Sequence, residues 1–297
     1  MKRISLFAAI LFTGALVSGQ QLHFTSQYIL HNSMYNPAAA GMSENKTTLG
    51  ITYRDMWAAF PGNPRTFMVY VDHDWTKMNA GLGGYIYRDQ TGPTTRTGVQ
   101  LAYSYHVKTG GNGKLGLGIE LRGLQFAIDR SKLSESVIGD PTLMGADKKT
   151  TMDAGFGIYY VNGPFSGGAA VSQLISSKLD LASVQGSNLR ARLYRHYNLT
   201  SSYKIQTGED IYLIPNFMLR VVENSPTEFD FGCKVDFQDK IWWALNWRVN
   251  QFWSAQMGLK LMKKIGVSYS YDYYVTPLSL FNAGSYAHEV GLNFDLK

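Results

Sequence analysis

The chain has 297 residues, of which 13% are aromatic and only 17% charged, with 30 glycines and 19 tyrosines. Soluble domains carry about 25% charged residues, so the balance points to Gly- and Tyr-rich strands and away from a highly charged soluble fold. Without Lys2 and Arg3 the formal net charge of +6 falls to +4. No Lys/Arg run is present, so nucleic acid is not an expected partner. The single Cys233 excludes an internal disulfide and a multi-cysteine metal site.

In chain order, residues 1–19 read as a signal peptide: Lys2 and Arg3, an apolar run over 4–17, then Val17-Ser18-Gly19 before the cut. No Cys follows that cut, so a lipoprotein is not expected. No later stretch reaches the roughly 18 apolar residues of a membrane helix. A membrane-integral form must therefore span as a closed barrel, where every backbone group is paired. Residues 20–44 do not alternate, and Pro37 and Gly41 interrupt any single strand or helix. Their density of Phe, Tyr, Ile, Met and Pro is unlike a disordered tail. We expect an ordered arm that docks at the periplasmic mouth or inside the lumen of the domain formed by 45–297.

Period-2 segments then follow one another. Strands are expected over 48–57, 65–75, 80–88, 97–107, 115–129, 151–161, 165–174, 193–205, 211–222, 228–237, 241–249, 253–262, 265–275 and 286–296. That makes fourteen. The fourth sets Val99, Leu101, Tyr103 and Tyr105 against Gln100, Ser104 and His106. The last sets Tyr286, His288, Val290, Leu292, Phe294 and Leu296 against Ala287, Glu289, Gly291, Asn293 and Asp295. The longest connections, 130–149, 175–192 and 276–285, all follow odd-numbered strands, and short turns fall on the other side. Outer-membrane barrels have this asymmetry. The fold expected is thus all-β: a transmembrane antiparallel up-and-down β-barrel of about 14 strands in outer-membrane lipid, with an ordered N-terminal arm and both termini periplasmic. Trp57 and Trp253 are expected in the outer aromatic girdle, and Trp75 and Trp242 in the inner one.

No HExxH, Walker A, GxSxG or CxxC is present, and the six His residues are scattered. Neither catalytic nor metal nor cofactor-binding residues are assigned, and an enzyme is not expected. Glu120, Arg122, Asp153, Asp272 and Glu289 fall at lumen-facing parity. They form either an ion-paired barrel interior or the selectivity lining of a channel. A dense polar and aromatic cluster, Asn36, Pro37, Tyr53, Arg54 and Trp57, departs from plain alternation and is the candidate partner-binding surface.

Four stretches carry a resemblance. They are Ser26-Gln27-Tyr28 with Tyr35-Asn36-Pro37-Ala38-Ala39-Ala40-Gly41; Tyr53-Arg54-x-x-Trp57-x-x-Phe60-x-Gly62-x-Pro64-x-Thr66; Ile214-Pro215-Asn216-Phe217-Met218; and Ser270-Tyr271-Asp272-Tyr273 with Asn282-x-Gly284-Ser285 and His288-Glu289-Val290. Together they resemble the PorP/SprF family of type IX secretion system membrane proteins of Bacteroidetes-type bacteria. Asn216 stands where the family tends to have Ser, and Tyr286-Ala287 interrupts its Ser-His-Glu run. The resemblance implies an outer-membrane accessory barrel without enzyme activity. It also implies two kinds of partner: a secreted adhesin carrying a type IX C-terminal sorting domain, and periplasmic secretion or gliding components. A small-solute porin is the competing reading.

Overall fold

The computed structural model describes residues 24–58, 60–133, 148–178, 192–262, 264–275 and 286–296. The expected leader 1–19, most of the three long connections, and Asn282, Gly284 and Ser285 lie outside the described residues. Fifteen strand segments are present among the described residues: β1 (Thr47–Met56), β2 (Arg65–Trp75), β3 (Ala80–Thr91), β4 (Thr94–Lys108), β5 (Lys114–Ile128), β6 (Lys148–Asn162), β7 (Phe165–Ser172), β8 (His196–Tyr203), β9 (Ile205–Gly208), β10 (Ile211–Val222), β11 (Glu228–Phe237), β12 (Ile241–Arg248), β13 (Phe252–Leu261), β14 (Ile265–Tyr274) and β15 (Tyr286–Leu296). Neighbours in sequence pair antiparallel. β1 pairs with β15 from Thr47 opposite Leu296 to Met56 opposite Ala287, which closes the ring.

β8 and β9 are one stave. Both pair with β10, Ser202 opposite Asn216 and Ile205 opposite Leu213. The ladder lapses at Lys204, beside Pro215 of β10, which has no N–H to donate. The barrel is therefore a closed antiparallel ring of fourteen staves, as the sequence pattern predicts. β3 and β4 are longer than periodicity suggests, because they run on to Thr91 and back to Thr94, where a tight turn joins them.

The alternation separates two environments. On β4, Val99, Leu101, Tyr103 and Tyr105 are exposed, while Gln100, Ala102, Ser104 and His106 are buried; on β15, Val290, Leu292, Phe294 and Leu296 face out, while Ala287, Glu289 and Asp295 face in. Such an apolar exterior belongs in a hydrocarbon belt and not in water. Among the described residues no helix is long and apolar enough to cross a membrane; here the strands do so.

The girdle expectation needs two corrections. Trp75 and Trp253 are exposed on the outside, but Trp242 and Trp57 turn inward. Trp242 precedes the outward Trp243 on β12, so alternation sends its ring to the lumen, where Lys234 Nζ lies 5.4 Å from its centroid. Trp57 has a φ of 53° just beyond β1, and its ring packs 6.2 Å from that of Tyr274.

The connections after β1, β5, β7 and β14 leave one end of the barrel, called here the long-loop end. The turns after β2, β4, β6 and β11 form the short-turn end. Inside, where a strand-only barrel would be hollow, lies the arm. It comprises helical turns at Tyr28–Leu30, Asn32–Tyr35 and Pro37–Ala39. Phe24 to Tyr28 and Met34 to Gly41 are buried throughout.

Candidate functional site

The arm crosses the lumen from end to end. Phe24, its first described residue, lies at the long-loop end. It packs with Phe252, Tyr274 and Ala287, against Met56 and Trp57. Three guanidinium groups surround its ring: Arg248 at 3.7 Å from the centroid, Arg220 at 5.0 Å and Arg54 at 5.5 Å. Arg248 is held by both carboxylate oxygens of Asp230, at 2.9 and 3.0 Å, and Arg220 by Glu228 at 3.1 Å. Cations stripped of water gain from an aromatic face, so these arginines fix Phe24 while their acids fix them.

Next to Phe24 the chain meets an acidic pair. Ser26 donates its hydroxyl to Asp272 at 2.6 Å and its amide to Glu289 at 3.0 Å; the Thr25 hydroxyl also donates to Glu289. Arg54 closes the cluster, donating to Asp272 at 2.6 Å, to Glu289 at 2.9 Å and to Ser26 Oγ at 2.7 Å. Arg54, Asp272 and Glu289 are each no more than 2% exposed. Charges so deeply buried are tolerated only when paired and hydrogen-bonded, and Ser26 supplies two of those bonds. Further on, Gln256 donates to the Ser26 carbonyl at 2.8 Å and the Tyr28 hydroxyl to Asn216 Oδ1 at 2.6 Å.

Toward the short-turn end, the Asn36–Gly41 stretch lies on a wall of small residues. Asn36 caps its own turn by accepting from Ala38 N at 3.0 Å and donates to the Ile158 carbonyl at 2.8 Å. Ser104 donates to the Ala38 carbonyl at 2.8 Å, and the His106 ring meets the Ala40 carbonyl at 2.9 Å. Two glycines make this approach possible. A Cβ on Gly118 would sit 2.2 Å from Ala38 N, and one on Gly81 1.9 Å from the Ala40 carbonyl oxygen. Gly41, with φ of 67°, turns the chain out of the lumen toward β1.

Midway, Glu120 and Arg122 pair at 2.6 Å, Gln100 donates to Glu120, and Arg122 donates to Tyr85 Oη and, at 2.9 Å, to the Met34 carbonyl. The buried ion pair grips the arm through the Met34 carbonyl. Asp153 does something different. Its carboxylate accepts from the amides of Ile175 at 2.9 Å and Ser177 at 3.2 Å, folding the segment after β7 inward. Of the arm's own titratable groups, burial pushes His31 down to about 4 and Tyr35 up to about 12, and it raises Tyr28 further. Among the described residues both ring nitrogens of His31 lack a partner, though its ring packs edge-on to Tyr70 at 4.5 Å.

Asn36, Pro37, Tyr53, Arg54 and Trp57 do not form one surface. Alternation on β1 sends Tyr53 outward, 44% exposed, and Arg54 inward. Trp57 and Arg54 belong to the Phe24 cluster, whereas Asn36 and Pro37 lie buried against β5, β6 and β7. Phe24 and Ser26, from the expected arm, complete the site with Gln256, Arg220, Arg248 and Asp230, and those four were missed by sequence reasoning. Inward parity on β10, β11 and β12 was the available signal for the last three. The two ends of the described chain are also separated: Leu296 finishes at the short-turn end, Phe24 at the other. Among the described residues no group of three His, Cys, Asp or Glu could hold a metal.

A family model described as "Type IX secretion system membrane protein PorP/SprF" matches residues 17–294. No curated protein matches the sequence. Solved structures of similar fold include the Ralstonia pickettii toluene transporter TbuX, at 10% identity and TM-score 0.51, covering 89% of this chain and 93% of that one. The Acinetobacter baumannii outer membrane protein Omp33 is similar at 7% identity and TM-score 0.50, covering 85% and 98%. The P. putida toluene transporter TodX is similar at 7% identity and TM-score 0.50, covering 88% and 92%. At such identities the likeness is one of fold alone.

Proposed function

Because the chain belongs to the PorP/SprF family of type IX secretion system membrane proteins, and so is an outer-membrane barrel of that system, we propose that it supports export or surface anchoring of large adhesins. It does so by engaging their C-terminal sorting domain or the periplasmic machinery. The family match along nearly the whole chain carries this reading. The arm supports it: Ser26, Arg54, Asn216, Asp272 and Glu289, all from the stretches that carry the family pattern, meet around one segment of the chain. A lumen occupied from Phe24 to Gly41 disfavours a solute pore. The periplasm lies at the short-turn end on this reading, and Arg54, Asn36 and Pro37 act by holding the arm, not by touching a partner.

The test is deletion of the chain in its native host, followed by surface detection of sorting-domain adhesins and mild-detergent purification of the tagged barrel. Lost display, with a sorting-domain protein or periplasmic components co-purifying, is expected. Normal display together with a steady open channel in bilayers would favour the porin.

A further inference from the structure

The arm fills the lumen unevenly. From Asn36 to Gly41 it lies on the β3–β7 side, and the opposite wall stays uncovered toward the short-turn end. A cavity of about 660 Å³ remains there, reaching the turn residues Thr76, Asp239 and Lys240. It shares Leu30, His31, Ser43 and Glu44 with a second cavity of about 340 Å³. Toward the long-loop end, the buried Ser26–Arg54–Asp272–Glu289 cluster ties the arm to β1, β14 and β15.

Unspent polar groups line the cavity. Among the described residues, His31, 5% exposed and lining both cavities, has both ring nitrogens unpartnered, and Asp74, at the short-turn mouth, keeps one carboxylate oxygen free. Buried polar groups without partners cost free energy, and clusters of them in native structures call for an explanation. A neutral imidazole offers one donor and one acceptor, the complement of a peptide unit. The satisfied side of the lumen shows how this barrel holds polypeptide. Gln256, Arg122, Asn198 and Ser104 donate to the carbonyls of Ser26, Met34, Tyr35 and Ala38, reading main chain and not side chains. Ion pairs flank the empty side, Lys204 with Glu44 at 2.7 Å and Lys260 with Asp295 at 3.2 Å.

We propose that this cavity is a second peptide seat, which takes a short extended segment of a secretion partner entering from the short-turn end and bonds its main chain through Asp74 at the mouth and His31 farther in. The inference rests on the secretion reading above and adds to it the site and the mode of recognition.

The experiment replaces Trp242, which lines the cavity, with the photo-crosslinker benzoylphenylalanine in cells that carry the intact secretion system. A second barrel carries the crosslinker at lipid-facing Leu101. Crosslinked material is digested and sequenced. One recurring polypeptide segment at position 242, absent at 101, is expected. The Ser268→Trp substitution fills the cavity; it should abolish that crosslink and lower export of the captured protein at least about tenfold while the barrel keeps its heat-modifiable mobility. Ser268→Leu replaces it if the larger residue prevents assembly.

An assembled barrel that yields only lipid or nothing at 242 overturns the seat, as does capture and export unchanged by the filled cavity. Deletion of the whole chain separates the two levels. If deletion stops export but filling the cavity does not, the seat is wrong and the secretion role stands. If deletion leaves export intact, the secretion role falls and the seat with it.

Discussion

Arg54→Ala tests whether the arm is locked in place by the buried charge cluster. The substitution removes four donated bonds: to Asp272 at 2.6 Å, Ser26 at 2.7 Å, Glu289 at 2.9 Å and Tyr274 at 3.3 Å. It also leaves two carboxylates buried without a cation. Breaking a buried pair by removing one partner costs roughly 3–5 kcal/mol, because the remaining charge is stranded. The cheapest relief is local: Thr25 to Tyr28 leave, water enters, and the carboxylates are hydrated. At about 1.4 kcal/mol per tenfold, even the lower figure raises the population of released arm more than about a hundredfold.

Limited proteolysis of the detergent-solubilised barrel reads this directly, since cuts within 24–42 appear only when the arm is out. Arg54→Ala should be cleaved there at least about a hundred times faster, with barrel fragments intact. Adding Asp272→Asn and Glu289→Gln removes the stranded charges and should recover part of the protection. Equal cleavage of the wild type and Arg54→Ala would refute the argument.

The share of arm docking that His31 contributes should weaken as pH falls. His31 is held to about 4 when buried, against an ordinary 6.5, so its released form binds more protons between those values, and its contribution is fully present above pH 6.5 and loses up to about 3 kcal/mol toward pH 4. Hydrogen exchange of 24–42 against pH checks this, and His31→Phe should flatten that part of the profile. Gly118→Val, which drives a side chain into the Ala38 backbone, should cost about 1–3 kcal/mol and lower the urea midpoint. Gly110→Ala, with nothing within 4 Å of its Cβ, should leave it unchanged. Leu101→Arg, at the middle of β4 and 64% exposed, should cost about 2–4 kcal/mol in bilayers; folding titrations into vesicles measure it. No cost there would mean the face does not meet hydrocarbon.

The barrel was legible because a lipid-facing strand repeats one rule every second residue. β15 obeys that rule over its whole length and β4 from Gly98 to Val107, and the same rule puts Glu120, Arg122, Asp272 and Glu289 at inward positions. The arm obeys no period. Its course is set by contacts far apart in sequence, such as Ser26 with Asp272 and Tyr28 with Asn216, which a local pattern cannot report. One signal was present and unused. Gly81 and Gly83 on β3, Gly116 and Gly118 on β5, and Gly157 on β6 all sit at inward parity. A run of inward glycines marks a wall that something must approach closely. Trp57 and Trp242 misled for the opposite reason: position near a strand end suggested the girdle, while alternation and a positive φ decided otherwise.

The place of Arg54 and Glu289 has a consequence for biogenesis. They face each other directly across the β1–β15 junction, where the first and last strands meet and the cylinder shuts. Ser26 bonds both side chains, so the arm is the clasp of that seam. A ring that shut first would have to draw some twenty residues through a crowded bore. One that folds around the arm inserts its own template and seals in a single event. Barrel-assembly factors would then release this protein only after its amino-terminal segment is in place, making insertion of the arm the checkpoint for the last pairing.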